Sequence, residues 1–310
     1  MIFAVWIPLL VPFLAVPVAR RLAEALPPRP AAWLLAAAST GLAACSTAAL
    51  ALLALAGALR LRFVAALGNL VTPLREVPAA IALPAACAAT ALLAVSGVAL
   101  IRTARRQVAE LRAAHRRLAP GTGELAVLRD PCPDAYALPG RPGRIVVTTG
   151  MLRALEPAER EALFAHERAH LRGRHHLFLA AAELAGHCHP ALRALRAPLE
   201  YALERCADEA AAGAVGDRRL AARAIGRAAL ASRAGAPAAR PRAVLAAAAG
   251  PVPRRVAALL DRRPGADALR SRGARLIAVT LLACLCASAV SAVEAAADLH
   301  GGIETAQGEG

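Results

Sequence analysis

The sequence predicts a mainly α membrane protein: four spanning helices, with one α+β domain carrying a small β element between the third and the fourth. Three observations carry that reading. Apolar residues fill 58% of the 310 positions, above the roughly 45–50% usual in soluble domains. Four stretches are apolar over a length that can cross a bilayer, which takes about 17–25 residues. Between the last two lies a charged region with helical periodicity and two short strand-like runs.

The first stretch covers residues 2–18 and contains Pro8, Pro12 and Pro17, which predict a kinked or irregular span. Arg20 and Arg21 follow the apolar run, whereas a cleaved signal peptide has its charge in front. The second span lies within 31–59, the third covers 77–101, and the fourth covers 276–293. The expected organisation is therefore a membrane region with three transmembrane helices (1–101), a cytoplasmic domain (102–275), the fourth span (276–293) and a short external tail (294–310).

Arginine placement sets the orientation, because basic residues stay on the cytoplasmic side. Arg102, Arg105, Arg106, Arg112, Arg116 and Arg117 follow the third span. Arg254, Arg255, Arg262, Arg263, Arg270, Arg272 and Arg275 precede the fourth, and no Arg follows it. The loop with Arg60, Arg62 and Arg75 runs against the rule. A multi-pass protein of the cell membrane, with its domain in the cytoplasm, is the expectation.

The domain opens with a basic helix, 102–118, that continues the third span; His115 on it reads as a solvated residue. After a short polar passage, Ala135-Tyr136-Ala137-Leu138 before Pro-Gly reads as one strand. Arg144–Thr148, β-branched and apolar, reads as a second. From Ala158 onward the pattern is helical, broken at 186–190, 213–217, 235–241 and 250–253.

The net charge of +15, with all 37 basic residues Arg, invites a nucleic-acid reading. It fails because the arginines flank apolar runs, so the lipid bilayer is the expected partner and no direct nucleic-acid contact is expected. The seven cysteines are odd in number and irregularly spaced, which argues against a disulfide framework or a thiolate zinc site.

The chemistry concentrates in His166-Glu167-Arg168-Ala169-His170. Helix positions four apart share a face, so both imidazoles can meet one ion. Glu167, offset beside the first ligand, can reach a metal-bound water, whose pKa zinc lowers to about 7. A catalytic zinc needs a third protein ligand and one open position. Glu204 is one candidate, with Asp208 four residues on and able to hold a ligand His from behind. Taken alone, Glu200, Glu204 and Asp208 read as a solvated helix stripe, the reading preferred for Glu200.

His176 is the alternative ligand, because His166-Glu167-x-x-His170-x-x-Gly173-x-x-His176 completes the metzincin pattern, with Gly173 letting the chain turn. That pattern also needs a downstream Met-turn, and the only methionines, Met1 and Met151, lie upstream. Glu204 is therefore favoured. His175 and His176 then read as neighbours of the site or interfacial cations. His187, Cys188 and His189 are spaced to splay, not to share a second metal.

These residues resemble a known group. Ala135-Tyr-Ala-Leu-Pro-Gly, Ile145-Val-Val-Thr, the stretch Leu152 to His170, and Glu204-x-x-Ala207-Asp208 are similar to the gluzincin membrane peptidases. HtpX-type and CAAX prenyl proteases belong there, and the layout most resembles BlaR/MecR-type peptidases. The resemblance implies a gluzincin-like zinc metalloendopeptidase with one Zn2+ per chain, held by His166, His170 and Glu204. Glu167 is then the base, and Asp208 supports a ligand His. Ala135, Tyr136, Ala137 and Leu138 would form the edge strand that receives an extended substrate. Arg218 or Arg219 are candidate oxyanion donors. The implied partner is a protein substrate, such as a transcriptional repressor in regulated proteolysis. Only 294–310 follows the fourth span, too short for the external penicillin-sensor domain of the antibiotic sensors, so β-lactam sensing is not expected. A non-catalytic membrane signalling scaffold with structural or absent zinc is the competing function.

Overall fold

The computed structural model describes residues 2–61, 78–118, 123–234, 251–261 and 272–307. The loop arginines Arg62 and Arg75, the Pro-rich break at 235–241, and Arg262, Arg263 and Arg270 lie outside the described residues. In chain order, α1 is Ile2–Ala25, α2 Pro28–Ala58 and α3 Ala79–Arg116. The strands β1 Leu125–Leu128, β2 Ala135–Leu138 and β3 Arg144–Thr148 follow. Then come α4 Thr149–Ala154, α5 Pro157–Arg172, α6 His175–Cys188 and a 3-10 turn at Pro190–Leu195. The chain continues through α7 Arg196–Val215, α8 Arg218–Ala234, α9 Val252–Leu260 and α10 Arg272–Gln307. The molecule is a mainly α membrane protein: α1, α2, α3 and α10 are long and apolar enough to cross a bilayer.

The first span is one continuous helix through its three prolines, so of a kinked or an irregular span it is not the irregular one. A proline at position i cannot donate to the carbonyl at i−4, so Pro12 orphans the Pro8 carbonyl. The buried Ser46 of α2 donates to that oxygen at 2.8 Å, and the His189 ring reaches the Leu9 carbonyl at 3.0 Å. Ser46 thus replaces the bond that Pro12 removes, and His189 adds a second contact from outside the helix. At the far end, α10 continues to Gln307, so the segment from Glu294 to Gln307 extends the fourth span's helix rather than hanging as a separate tail.

Three strands form the sheet, in order β1-β3-β2. β2 pairs antiparallel with β3, with Tyr136 opposite Val146. β1, which the sequence reading passed over as polar, pairs parallel with β3, with Leu125 opposite Ile145. Thr148 ends β3 and caps α4, its hydroxyl accepting from the Met151 amide. A capping box between Glu156 and Glu159, followed by Pro157, starts α5. Glu159, Ala162, Leu163, His166, Glu167 and His170 recur at helical spacing and form the buried face of α5.

A single apolar cluster joins the spans to the domain. Leu22, Leu35 and Leu42 of α1 and α2 pack with Leu179, Leu199 and Leu203 of α6 and α7, and with Leu281 of α10. The bundle therefore fixes α7, and with it one wall of the site. α3 runs straight from its span into the domain, where Thr103 meets His187 at 2.9 Å and Gln107 donates to Glu183 at 2.9 Å. Farther along, half-buried His115 packs its ring against Gly140 of the β2–β3 turn, so it is not the solvated residue the sequence suggested.

Candidate metal centre

Helix α5 brings His166 and His170 onto one turn, and their Nε2 atoms face each other at 3.0 Å. Helix α7 supplies Glu204, whose carboxylate oxygens lie 3.5 Å from His170 Nε2 and 3.6 Å from His166 Nε2. All three residues are buried. Among the described residues they are the one group of His, Cys, Asp or Glu side chains disposed to hold a metal. A tetrahedral ion with ligands at about 2.0–2.2 Å separates its donors by about 3.3–3.6 Å, close to these spacings. Both Glu204 carboxylate oxygens are buried and accept no hydrogen bond, as oxygens open to a cation should be. The residues fit zinc.

Each ligand imidazole is held from behind. His166 Nδ1 lies 3.0 Å from Asp208 Oδ1, and His170 Nδ1 lies 2.7 Å from His175 Nδ1. Such outer contacts fix the ring and its tautomer so that Nε2 faces the metal. Burial presses the His166 pKa down, but Asp208 and Glu204 outweigh it and lift the group to about 9. Burial, then the charges on His166, His175 and Arg255, push His170 well below the usual range, and burial lowers His175 to about 4.

His175 owes its position to the turn between α5 and α6. Arg174 takes a left-handed conformation, φ 49°, unusual for a residue with a Cβ, and reverses the chain so that the next side chain returns to His170. Gly173 has a negative φ, with φ −76° and ψ −6°, so the left-handed turn belongs to Arg174. Gly173 matters for space: a Cβ there would lie 2.3 Å from His175 Nε2. His176, next in sequence, is half-buried and is not part of the ligand group.

Arg255 is the site residue that sequence reasoning missed. Its side chain is fully buried. Nε and Nη2 donate to Asp208 Oδ2 and Oδ1 at 2.8 and 2.6 Å, and Nη1 lies 2.5 Å from Glu204 Oε2. Burial opposes its charge, yet Glu204, Asp208 and Glu167 keep the guanidinium firmly protonated. Asp208 is likewise held below the usual carboxylate range: burial raises it, and Arg255 and His166 more than compensate.

The other sequence candidates lie elsewhere. Arg218 is bound to Glu209 and to the Leu259 carbonyl, so it fastens α9 to α7, and Arg219 is exposed. Neither is placed as an oxyanion donor. Glu200 is half-buried one turn before Glu204, with burial raising its pKa, so it is not a solvated stripe residue. His187 and His189 turn to different neighbours, Thr103 and Leu9. β2 is an edge strand whose only strand partner among the described residues is β3, and it packs against α5 and α3.

The model of peptidase family M48 matches residues 100–189. That likeness supports a metallopeptidase. The M48-like stretch takes in the domain half of α3, the whole sheet, His166, Glu167, His170 and His175. It ends before α7, so Glu204, Asp208 and Arg255 are joined to the family motif by the fold alone. Comparison with curated proteins and with solved structures finds no match.

Proposed function

We propose that this protein is a membrane-bound zinc endopeptidase of the gluzincin type, with BlaR/MecR-like layout, that hydrolyses a protein substrate at the cytoplasmic membrane surface. The observation that carries it is the convergence of His166, His170 and Glu204 beside Glu167 in one buried site. His166 Nε2, His170 Nε2 and Glu204 would hold one Zn2+, which when bound polarises a carbonyl and activates water. Glu167, on the same turn of α5, takes a proton from the attacking water and returns it to the leaving amine. Asp208 and His175 keep the ligand rings aimed.

An extended polypeptide laid along Ala135–Leu138 would add a strand at the sheet edge and bring a peptide carbonyl towards α5. The arginines after α3 and before α10 support a cytoplasmic domain, and the resemblance to regulatory membrane peptidases favours a repressor-like substrate. The test compares wild type with Glu167→Gln in detergent or vesicles, reading cleavage and zinc content together. A loss of about 10²–10⁴-fold in cleavage with zinc retained is the expected result. Equal behaviour of the two forms would leave a non-catalytic signalling scaffold.

A further inference from the structure

A fully buried arginine bound to two carboxylates is a poor way to gain stability. Replacing such a network with apolar groups of similar volume is often neutral or better, so its presence in a metal site asks for another reason. The geometry offers one. Asp208 takes two donors of the guanidinium, Nε and Nη2, which fixes the plane of the fork. The remaining arm, Nη1, is thereby delivered to Glu204 Oε2 at 2.5 Å. Both Glu204 oxygens lie near the imidazoles, Oε1 3.5 Å from His170 Nε2 and Oε2 3.6 Å from His166 Nε2, but it is Oε2 that has the guanidinium against it.

We propose that Arg255 is a positioning residue that makes Glu204 a one-oxygen metal ligand. The proposal rests on the zinc reading above. A carboxylate free to swing can bind a metal through both oxygens, filling the position that a catalytic site must keep open. With Oε2 held against the Arg255 guanidinium, Oε1 is the oxygen left to the ion, and the open position stays available to water and the substrate carbonyl. Lysine cannot reproduce this, because a single ammonium lacks the rigid fork that engages both carboxylates together. Helix α9 thus contributes to the site although it supplies no ligand.

The experiment uses the full-length protein in detergent, stripped of metal and titrated with Co2+ against a chromophoric competitor, reading affinity and the visible d–d bands. Wild type should give the intense bands of four-coordinate Co2+. Arg255→Lys and Arg255→Met should bind about 10–100-fold more weakly, the range for lost outer contacts, with the weaker bands of a higher coordination number. Wild-type bands and affinity in both variants would overturn the proposal. Zinc-edge X-ray absorption of the wild-type protein gives a second reading that needs no variant to fold. One carboxylate oxygen in the shell supports the assignment, and two overturn it. A wild-type protein that binds neither metal would instead sink the zinc reading itself.

Discussion

Gly173→Ala tests whether His175 is what holds the second ligand ring. The backbone at Gly173 tolerates alanine, since φ −76° and ψ −6° lie on the right-handed side open to residues with a Cβ. The added Cβ would lie 2.3 Å from His175 Nε2 and 2.6 Å from its Cδ2, whereas non-bonded carbon contacts settle near about 3.5–4.0 Å. The ring must therefore move by about 1 Å or more. The 2.7 Å contact with His170 Nδ1 then stretches past the roughly 3.2 Å limit of a hydrogen bond. Loss of such a support typically lowers metal affinity about 10–100-fold, or about 1.4–2.7 kcal/mol. The assay is zinc affinity by chelator competition. Gly213→Ala serves as control, because nothing lies within 4 Å of a Cβ there and a helix interior gains about 1 kcal/mol from the exchange. Wild-type zinc affinity in Gly173→Ala would refute the reasoning.

Two further expectations follow from buried polar contacts. Asp208→Asn keeps the size of the side chain but removes the charge that Arg255 and His166 face. The metal-free protein should lose about 3–5 kcal/mol, the usual cost of breaking a buried pair from one side, seen as a lower unfolding midpoint in chelator. An unchanged midpoint would show that Arg255 finds its compensation elsewhere. Ser46→Ala withdraws the donor from the Pro8 carbonyl and should cost about 0.6 kcal/mol, with about 1.7 as the ceiling for such bonds in membranes. Thr47→Ala, whose hydroxyl only bonds back to Ala43 of its own helix, is the comparison. Equal unfolding of the two in denaturing detergent would remove Ser46 from the account of the first span.

What the sequence made legible was local. His166 and His170 share a helical turn, as do Glu204 and Asp208, so spacing alone put each pair on one face. β2 and β3 announced themselves by composition between turn residues. β1 did not, because four residues with only Ala126 buried carry no period to recognise, and its pairing with β3 is decided 20 residues further along the chain. Arg255 was hidden in a different way. In a chain whose basic residues are all Arg, an arginine before a span reads as topology, and its contact with Asp208 crosses 47 positions. The continuity of α1 was equally illegible, since it depends on a serine 38 residues from the carbonyl it serves.

The apolar cluster that runs from Leu22 and Leu35 through Leu179 and Leu199 bears on how the protein can be handled. The α+β domain is not a passenger clipped to a membrane anchor. Excising 102–275 would strip the cover from α6 and α7 and present that greasy surface to water, where chains stick to one another. Work on this protein therefore begins with the lipid-facing helices still attached.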